Sequence, residues 1–347
     1  MEVIGSFSGA PGQPARRPTI AHIAPAEIDA TIAAVVDLQP TVVLVEGVAL
    51  LPVAEAVRRA MPAVTLIIDF HNVESVLYRE ISCRRWPLWL RPLRLALIAR
   101  SVRRARQDDA QAIALADQIW TCSARDATAA RALGARSVAV VPNPIPPWCA
   151  AADTGRREAG SDILFVGELG YAPNKSAVRL LVTASMPRLK AGHPDLQLHV
   201  TGREPYARLS KLVTSAGHRL TANPVEVAPA YAQALAAVIP LTSGGGTRIK
   251  VIEALAVGCP VIATAKAVEG LGLEPGVHYL AAERPAEFAR AIGELADDDA
   301  LGRRLGENGR ALVQRHFGPE ALQAAIAEAL AQLESSPPPQ GHPPTGT

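Results

Sequence analysis

The stretch Ile239-Pro-Leu-Thr-Ser-Gly-Gly-Gly-Thr-Arg-Ile-Lys-Val-Ile-Glu-Ala-Leu-Ala-Val-Gly-Cys-Pro260 decides the fold. An apolar strand runs into three glycines, Gly244, Gly245 and Gly246, and a helix follows over Arg248–Val257. Gly258 and Pro260 then close that helix, as a C-terminal glycine and a following breaker should. Glycines let a backbone approach a ligand closely, and a helix N-terminus offers unpaired N–H groups to an anion. Arg248 and Lys250 stand in the first helical turn, where cations oppose the macrodipole by roughly 0.3–1 kcal/mol each. An anion bound there reverses the sign of that contribution; the alternative is a tight turn whose two cations face water. The pattern is neither G-x-x-x-x-G-K-[ST] nor G-x-G-x-x-G. Glu253, about one turn beyond Lys250, is placed either to accept hydrogen bonds from a ribose diol or to pair with Lys250 in solvent.

Outward from this stretch, short apolar runs alternate with amphipathic segments, the pattern of parallel sheets covered by helices. Strands are expected at Thr41–Glu46, Val64–Phe70, Gln118–Cys122, Ser137–Val141, Asp162–Val166, Leu196–Val200, Ala237–Pro240 and Val261–Thr264, with a weaker one at Val3–Phe7. Helices are expected at Pro52–Ala60, Asp108–Ala116, Ala124–Leu133, Ser176–Leu189 and Pro319–Leu333. Both halves therefore read as doubly wound α/β. The run Pro142-Asn-Pro-Ile-Pro-Pro147 interrupts regular structure, because each proline removes a donor and restricts its predecessor. The expected organisation is an N-terminal domain over 1–145, a linker over 146–160 and a second domain over 161–318. A last helix over 319–334 follows, and then a proline-rich disordered tail over 335–347.

At 347 residues the chain has room for two domains of about 150 residues. Hydrophobic residues at 49% supply two cores, whereas 4% aromatics and a net charge of +2 do not suit nucleic-acid binding. Cys83, Cys122, Cys149 and Cys259 lie far apart, which gives neither a zinc site nor a disulfide framework and suits a reducing compartment. No apolar run approaches the ~18 residues of a membrane span, and Met1–Phe7 is no secretory signal. A cytoplasmic location is expected, with any membrane contact peripheral at the inner face.

The run GGGTRIK…EALAVG…PVIAT over Pro240–Thr264 resembles the donor-nucleotide motif of retaining glycosyltransferases of family 4, in a triple-glycine branch. Ile163–Ala177 (ILFVGELGYAPNKSA), Val268–Leu280, Asp69–Glu74 (DFHNVE) and Ala116–Asn143 resemble further family segments in the right order. The resemblance implies a GT-B fold, two Rossmann-like domains facing a central cleft. The second domain would hold a nucleotide-sugar donor and the first an unidentified acceptor. The implied reaction is metal-independent transfer with retention, needing no cofactor, and no Asp-x-Asp motif is present. By resemblance, Gly244, Gly245, Gly246 and Thr247 cradle the diphosphate, and Arg248 and Lys250 neutralise the departing nucleotide. Glu253 holds the ribose, Gly167 lines the diphosphate from the opposite turn, and Lys175 adds a charge from there. His71 approaches the transferred sugar with Asn72 in support, or else is a structural histidine, and Asp69 orients it. The chain departs from the family pattern at Gly245 and Glu168, where many relatives carry an acid and an arginine. Gly9–Pro18 does not resemble the family's opening strand and glycine loop, so either the true start lies upstream or the N-terminal domain is abbreviated. A noncatalytic nucleotide-sugar-binding partner subunit, or an epimerase or hydrolase on the same scaffold, is the alternative.

Between Ile81 and Gln107 there is no acid, while Arg84, Arg85, Arg91, Arg94, Arg100, Arg103, Arg104 and Arg106 accompany Trp86, Trp89 and several leucines. Such a segment suits an anionic bilayer surface, and with it a lipid-linked acceptor. The other reading is a solvated basic helix of the first domain; nucleic acid is a poorer third.

Overall fold

The computed structural model describes residues 19–84, 90–151, 161–244 and 248–335. The chain divides into two compact units: Met1–Pro142 with Gln323–Thr347, and Asn143–Leu322. Each is built on a parallel sheet, as its near-continuous apolar strands require.

The first unit runs α1 (Pro25–Leu38), β1 (Val42–Glu46), α2 (Leu51–Ala60), β2 (Thr65–Phe70), α3 (Glu74–Arg84), α4 (Arg91–Leu115), β3 (Gln118–Thr121), α5 (Ala124–Ala132) and β4 (Val138–Val140). Its strands lie in sequence order, β1-β2-β3-β4. Every crossover therefore moves the same way, and right-handed connections send their helices to one face. There Leu66, Ile68 and Phe70 of β2 pack with Val53, Val57 and Ala112. The opposite face, with Ile67, Trp120 and Ala139, is covered by the far end of the chain, the helix Pro319–Ser335. Ala329 is buried there, with Ile326, Leu330 and Leu333 packed beside it. Gln118, itself buried, donates from Nε2 to the Ala329 carbonyl at 3.0 Å and accepts from Trp120 Nε1 at 2.7 Å.

The second unit opens with α6 (Pro147–Ala151), which occupies part of the expected linker and buries Cys149 in this unit's core. It continues β5 (Asp162–Val166), α7 (Ala172–Leu180), a π turn (Leu181–Ser185), α8 (Met186–Leu189), β6 (Gln197–Gly202), α9 (Ala207–Ser215) and β7 (Arg219–Ala222). Then come α10 (Ala228–Ala232), β8 (Ala234–Ile239), α11 (Ile249–Ala256), β9 (Val261–Ala263), β10 (Leu280–Ala281), α12 (Pro285–Asp297) and α13 (Asp299–Phe317); the last helix, α14 (Pro319–Ser335), belongs to the first unit from Gln323 on. The strand order is β10-β9-β8-β5-β6-β7. From β5 the chain builds outward through β6 and β7, then returns to β8 on the other side of β5 and builds the opposite way. The order thus reverses between β5 and β8, where ligands gather in doubly wound sheets. β8 is buried along its whole length, as ALAAVI in a central strand demands.

The edge strand β7, the two-residue β10 and the helices α1, α3, α6, α9, α10, α12 and α13 were not named from the sequence. The helix expected to start at Asp108 starts at Arg91 instead, and the one expected at Ser176 starts at Ala172. The weaker strand Val3–Phe7 and the tail beyond Ser335 lie outside the described residues.

Candidate functional site

The reversal point carries the charges. β5 ends at Val166 and hands over to Gly167, whose N–H donates to the Thr201 carbonyl at 3.1 Å. A Cβ on Gly202 would fall 1.6 Å from the Gly167 carbonyl oxygen, so only glycine closes β6 against this turn. Across the reversal, β8 leads through Leu241 and Ser243 to Gly244, held at φ 121° in the region that favours glycine. Arg248 caps α11, and its guanidinium folds back to donate from Nη2 to the Gly244 carbonyl. The glycine turn and the cation are therefore tied to one another.

Lys250, in the first turn of α11, reaches over the end of β5. Its Nζ donates to Asn174 Oδ1 at 2.8 Å and sits 4.7 Å from the centre of the Phe165 ring. Asn174, buried on α7, is held in turn by its Nδ2 donating to the Glu168 carbonyl at 2.7 Å. A Cβ on Gly167 would lie 2.6 Å from Lys250 Nζ, so the absence of a side chain there is what admits the ammonium. Lys250 as a whole is half-buried, with its ammonium set among Asn174, Gly167 and the Phe165 ring. Burial, then repulsion from Arg248, lowers its pKa to about 7, against the opposing attraction of Glu253. An enclosed cation with one neutral partner, beside a second cation, is an electrostatic demand for an anion.

Glu253 lies on the next turn of α11. Its Oε2 accepts from the Tyr231 hydroxyl at 3.0 Å, and that hydroxyl is also 3.3 Å from the Lys250 carbonyl. Tyr231 is fully buried and stacks on Trp148 of α6, ring centres 5.7 Å apart. Burial raises the Glu253 pKa, while the Tyr231 hydrogen bond and Lys250 oppose it. Burial, reinforced by the Glu253 charge, pushes the Cys149 thiol up to about 12, which keeps it neutral and unreactive. Glu253 is thus a positioned carboxylate rather than a free surface one.

In the first unit, β1 and β2 end together, Glu46 paired with Asp69 in register. His71 follows β2, and its Nδ1 lies 3.1 Å from Asp69 Oδ2. That hydrogen bond raises the His71 pKa against the opposing effect of burial, with Asp69, Glu46 and Glu74 adding attraction. The imidazole remains half exposed. Asn72 Oδ1 is buried with no hydrogen-bond partner among the described residues. Burial, with Asp109 nearby, lifts Glu74 to about 7. Asp109 itself accepts from the Ser75 N–H at 2.9 Å and caps α3.

Of the residues expected to form the site, Gly167, Gly244, Arg248, Lys250 and Glu253 come together within the second unit. Lys175 does not join them: its ammonium lies over the Tyr206 ring, 4.8 Å from the centre. Its neighbour Asn174 makes the contact instead, because α7 turns position 174 inward and 175 outward. Gly245, Gly246 and Thr247 lie outside the described residues. His71 and Asn72 belong to the other unit. Sequence reading missed Asn174, Tyr231 and Trp148; the one available signal was Asn174 inside the YAPNKSA segment. Among the described residues no group of three His, Cys, Asp or Glu side chains is placed to hold a metal ion.

Residues 160–298 match the family model of glycosyl transferases group 1. No curated protein sequence matches the chain. Among solved structures, a sucrose-phosphate synthase from Thermosynechococcus elongatus is similar at 20% identity and a TM-score of 0.64, over 90% of this chain and 78% of that one. Anabaena HepE, solved with UDP and glucose, is similar at 16% identity and 0.61, over 87% and 81% of the two chains. The pneumococcal O-GlcNAc transferase GtfA, solved with UDP and GlcNAc, is similar at 13% and 0.61, over 89% and 61%. At such identities the likeness is one of fold, and the fold is α/β with two parallel sheets, GT-B-like.

Proposed function

We propose that this chain is a glycosyltransferase that moves a sugar from a nucleotide-diphosphate donor to an acceptor hydroxyl, with retention at the anomeric carbon. The observation that carries the reading is the enclosed Lys250 ammonium, bonded to Asn174 over Gly167, beside Arg248 tied to the Gly244 carbonyl. The match of residues 160–298 to group 1 glycosyl transferases supports it, as do the UDP complexes among the fold's relatives.

In this reading the diphosphate lies against the glycine turn, Gly244 with Gly245, Gly246 and Thr247. As the bond from the anomeric carbon to the phosphate oxygen breaks, negative charge grows on the leaving diphosphate. Arg248 and Lys250 meet it there, in a partly enclosed setting where such stabilisation is strong. These two cations supply the neutralisation for which other transferases use a metal. Gly167 brings the first turn close to the phosphates. Glu253, aimed by Tyr231, accepts from the ribose hydroxyls. The acceptor side falls to the first unit, where His71, oriented by Asp69, approaches the transferred sugar. The orphaned Asn72 oxygen is ready to accept from a hydroxyl. Lys175, turned to Tyr206, is left out of the donor set.

The test is a panel of UDP-, GDP- and ADP-sugars, assayed for transfer to a simple alcohol and for donor hydrolysis. One donor should turn over, and Arg248→Ala with Lys250→Ala should abolish it. Diphosphate binding without turnover on any donor would instead make the chain a noncatalytic nucleotide-sugar-binding subunit.

A further inference from the structure

The basic segment finds no use in sugar transfer, yet its described part has a definite geometry. α4 packs one face inward, with Ile98, Ala105, Asp109 and Ala112 all buried. On the outward side Leu93 and Leu97 are 54% and 63% exposed, unusual for leucines on a folded helix. Residues 93, 97, 100 and 104 fall within about 60° of one another around a helix of 3.6 residues per turn. Leu93 and Leu97 therefore continue into Arg100 and Arg104 as one stripe, with Arg103, also exposed, about 60° beside it and Arg106, also exposed, about 120° from Arg100 at the edge of the outward half. From Leu93 to Arg106 the stripe is about 20 Å long at 1.5 Å per residue.

Along the chain the run itself holds no acid. The last acid before the run, Glu80, is paired with Arg125 at 3.3 Å. The first two after it, Asp108 and Asp109, are buried and turned inward: Asp108 accepts from Thr19 at 2.6 Å and Asp109 caps α3. In a chain of 35 cations and 33 anions, a one-sign patch of this kind is a local concentration rather than a general excess. Arginines beside exposed leucines, on one face of one helix, match an interface with anionic headgroups over an apolar layer. A nucleic acid would use the arginines and leave the leucines in water. We propose that the outward face of α4 docks this protein on the surface of an anionic phospholipid bilayer, with Leu93 and Leu97 inserted and Arg100, Arg103, Arg104 and Arg106 at headgroup level. Among the described residues no helix is long and apolar enough to cross a membrane, so this docking is to the surface. The proposal does not depend on the sugar-transfer reading.

Co-sedimentation of the full chain with vesicles tests it. Binding is expected to phosphatidylglycerol–phosphatidylcholine vesicles but not to phosphatidylcholine alone, and it should weaken from 50 to 300 mM salt. Changing the four arginines to Gln should cost at least about 100-fold in partitioning, since each basic residue near such a surface contributes about fivefold. Leu93→Ser with Leu97→Ser should remove the binding that survives at high salt; far-UV dichroism and melting confirm that each variant is folded. Failure of the wild-type chain to bind the anionic vesicles at 50 mM salt, or equal binding by the arginine variant, overturns the proposal. So does undiminished vesicle binding by the leucine variant, which would mark a general polyanion surface such as one for RNA.

Discussion

Each sheet ends in a cluster of charged groups, and the two clusters are built on opposite plans. In the second unit the strand order reverses between β5 and β8, and Lys250 and Arg248 enter the space that the reversal opens. Each cation there is tied to a neutral oxygen, Asn174 Oδ1 or the Gly244 carbonyl, and burial works against the Lys250 charge. In the first unit the strands run in sequence order, with no reversal among the described residues. His71 is half exposed and already faced by Asp69, Glu46 and Glu74, which favour its charge. In the second cluster burial outweighs the attraction of Glu253 and lowers the Lys250 pKa, whereas in the first the carboxylates outweigh burial and raise that of His71. The topological reversal draws two cations of α11 together over the end of β5; the sequential sheet leaves a histidine among carboxylates at its own end.

That contrast can be broken most severely at Gly167. A methyl group there collides with the Lys250 ammonium at 2.6 Å and with Asn174 Nδ2 at 2.9 Å, so the lysine and the buried amide that holds it must both shift. Gly167→Ala should lose one charge-assisted contact, about 10- to 100-fold in nucleotide-diphosphate affinity by calorimetry, with nucleoside affinity nearly unchanged. In the first unit the corresponding weak point is structural. Gln118→Leu leaves the buried Trp120 N–H without its acceptor and should cost roughly 1–3 kcal/mol. Thermal melting should fall by about 2–4 °C per kcal/mol, with no effect on nucleotide binding.

A finer cut separates phosphate from ribose recognition. Tyr231→Phe keeps the ring on Trp148 but removes the hydrogen bond to Glu253. Nucleotide and nucleoside affinity should fall together, by about fivefold for a bond contributing about 1 kcal/mol. The Glu253 pKa, already raised, should rise further, so both affinities should fail at higher pH than in the wild type as pH is lowered. The smallest expected effect is at Asp69. Asp69→Asn should bring the His71 pKa back down, visible in an NMR titration of the imidazole, because the carboxylate is the main cause of its elevation. His71 is raised in the folded protein, so its contribution to stability is present below pH 6.5 and is lost as pH climbs through the folded value. The variant should remove that dependence.

Much of this was legible in the chain. The strands of both sheets stood out wherever burial on two faces demanded a continuous apolar run, as in TLIIDF and DILFV. β7 did not, because RLTA is an exposed edge with no such run, and α1 buries only Val35 fully. The start of α4 was obscured because the few buried positions on its arginine-rich half, Ile98 and Ala105, carry too weak a period. At the site, the glycine turn and its cations were readable because they are contiguous. Tyr231 and Trp148 were not: Trp148 and its stacking partner are 83 positions apart in sequence, a distance over which only the folded chain brings rings together. Lys175 was expected in place of Asn174 because charge is visible in a sequence and the direction of a helix face is less so.

The central claim, that a diphosphate answers the buried charge on Lys250, has a direct spectroscopic reading. Only five lysines occur in the chain, so selective ¹³Cε labelling gives a simple spectrum, and Lys250→Ala assigns the resonance of interest. The free protein should titrate this lysine near pH 7, and its folding stability should rise between about pH 7 and 10.5 as the unfolded chain alone holds the proton. A nucleotide diphosphate should move that titration upward by more than one pH unit, with proton uptake on binding, whereas the nucleoside should leave it in place. A Lys250 titration that the diphosphate does not move, although the diphosphate binds, would contradict the account.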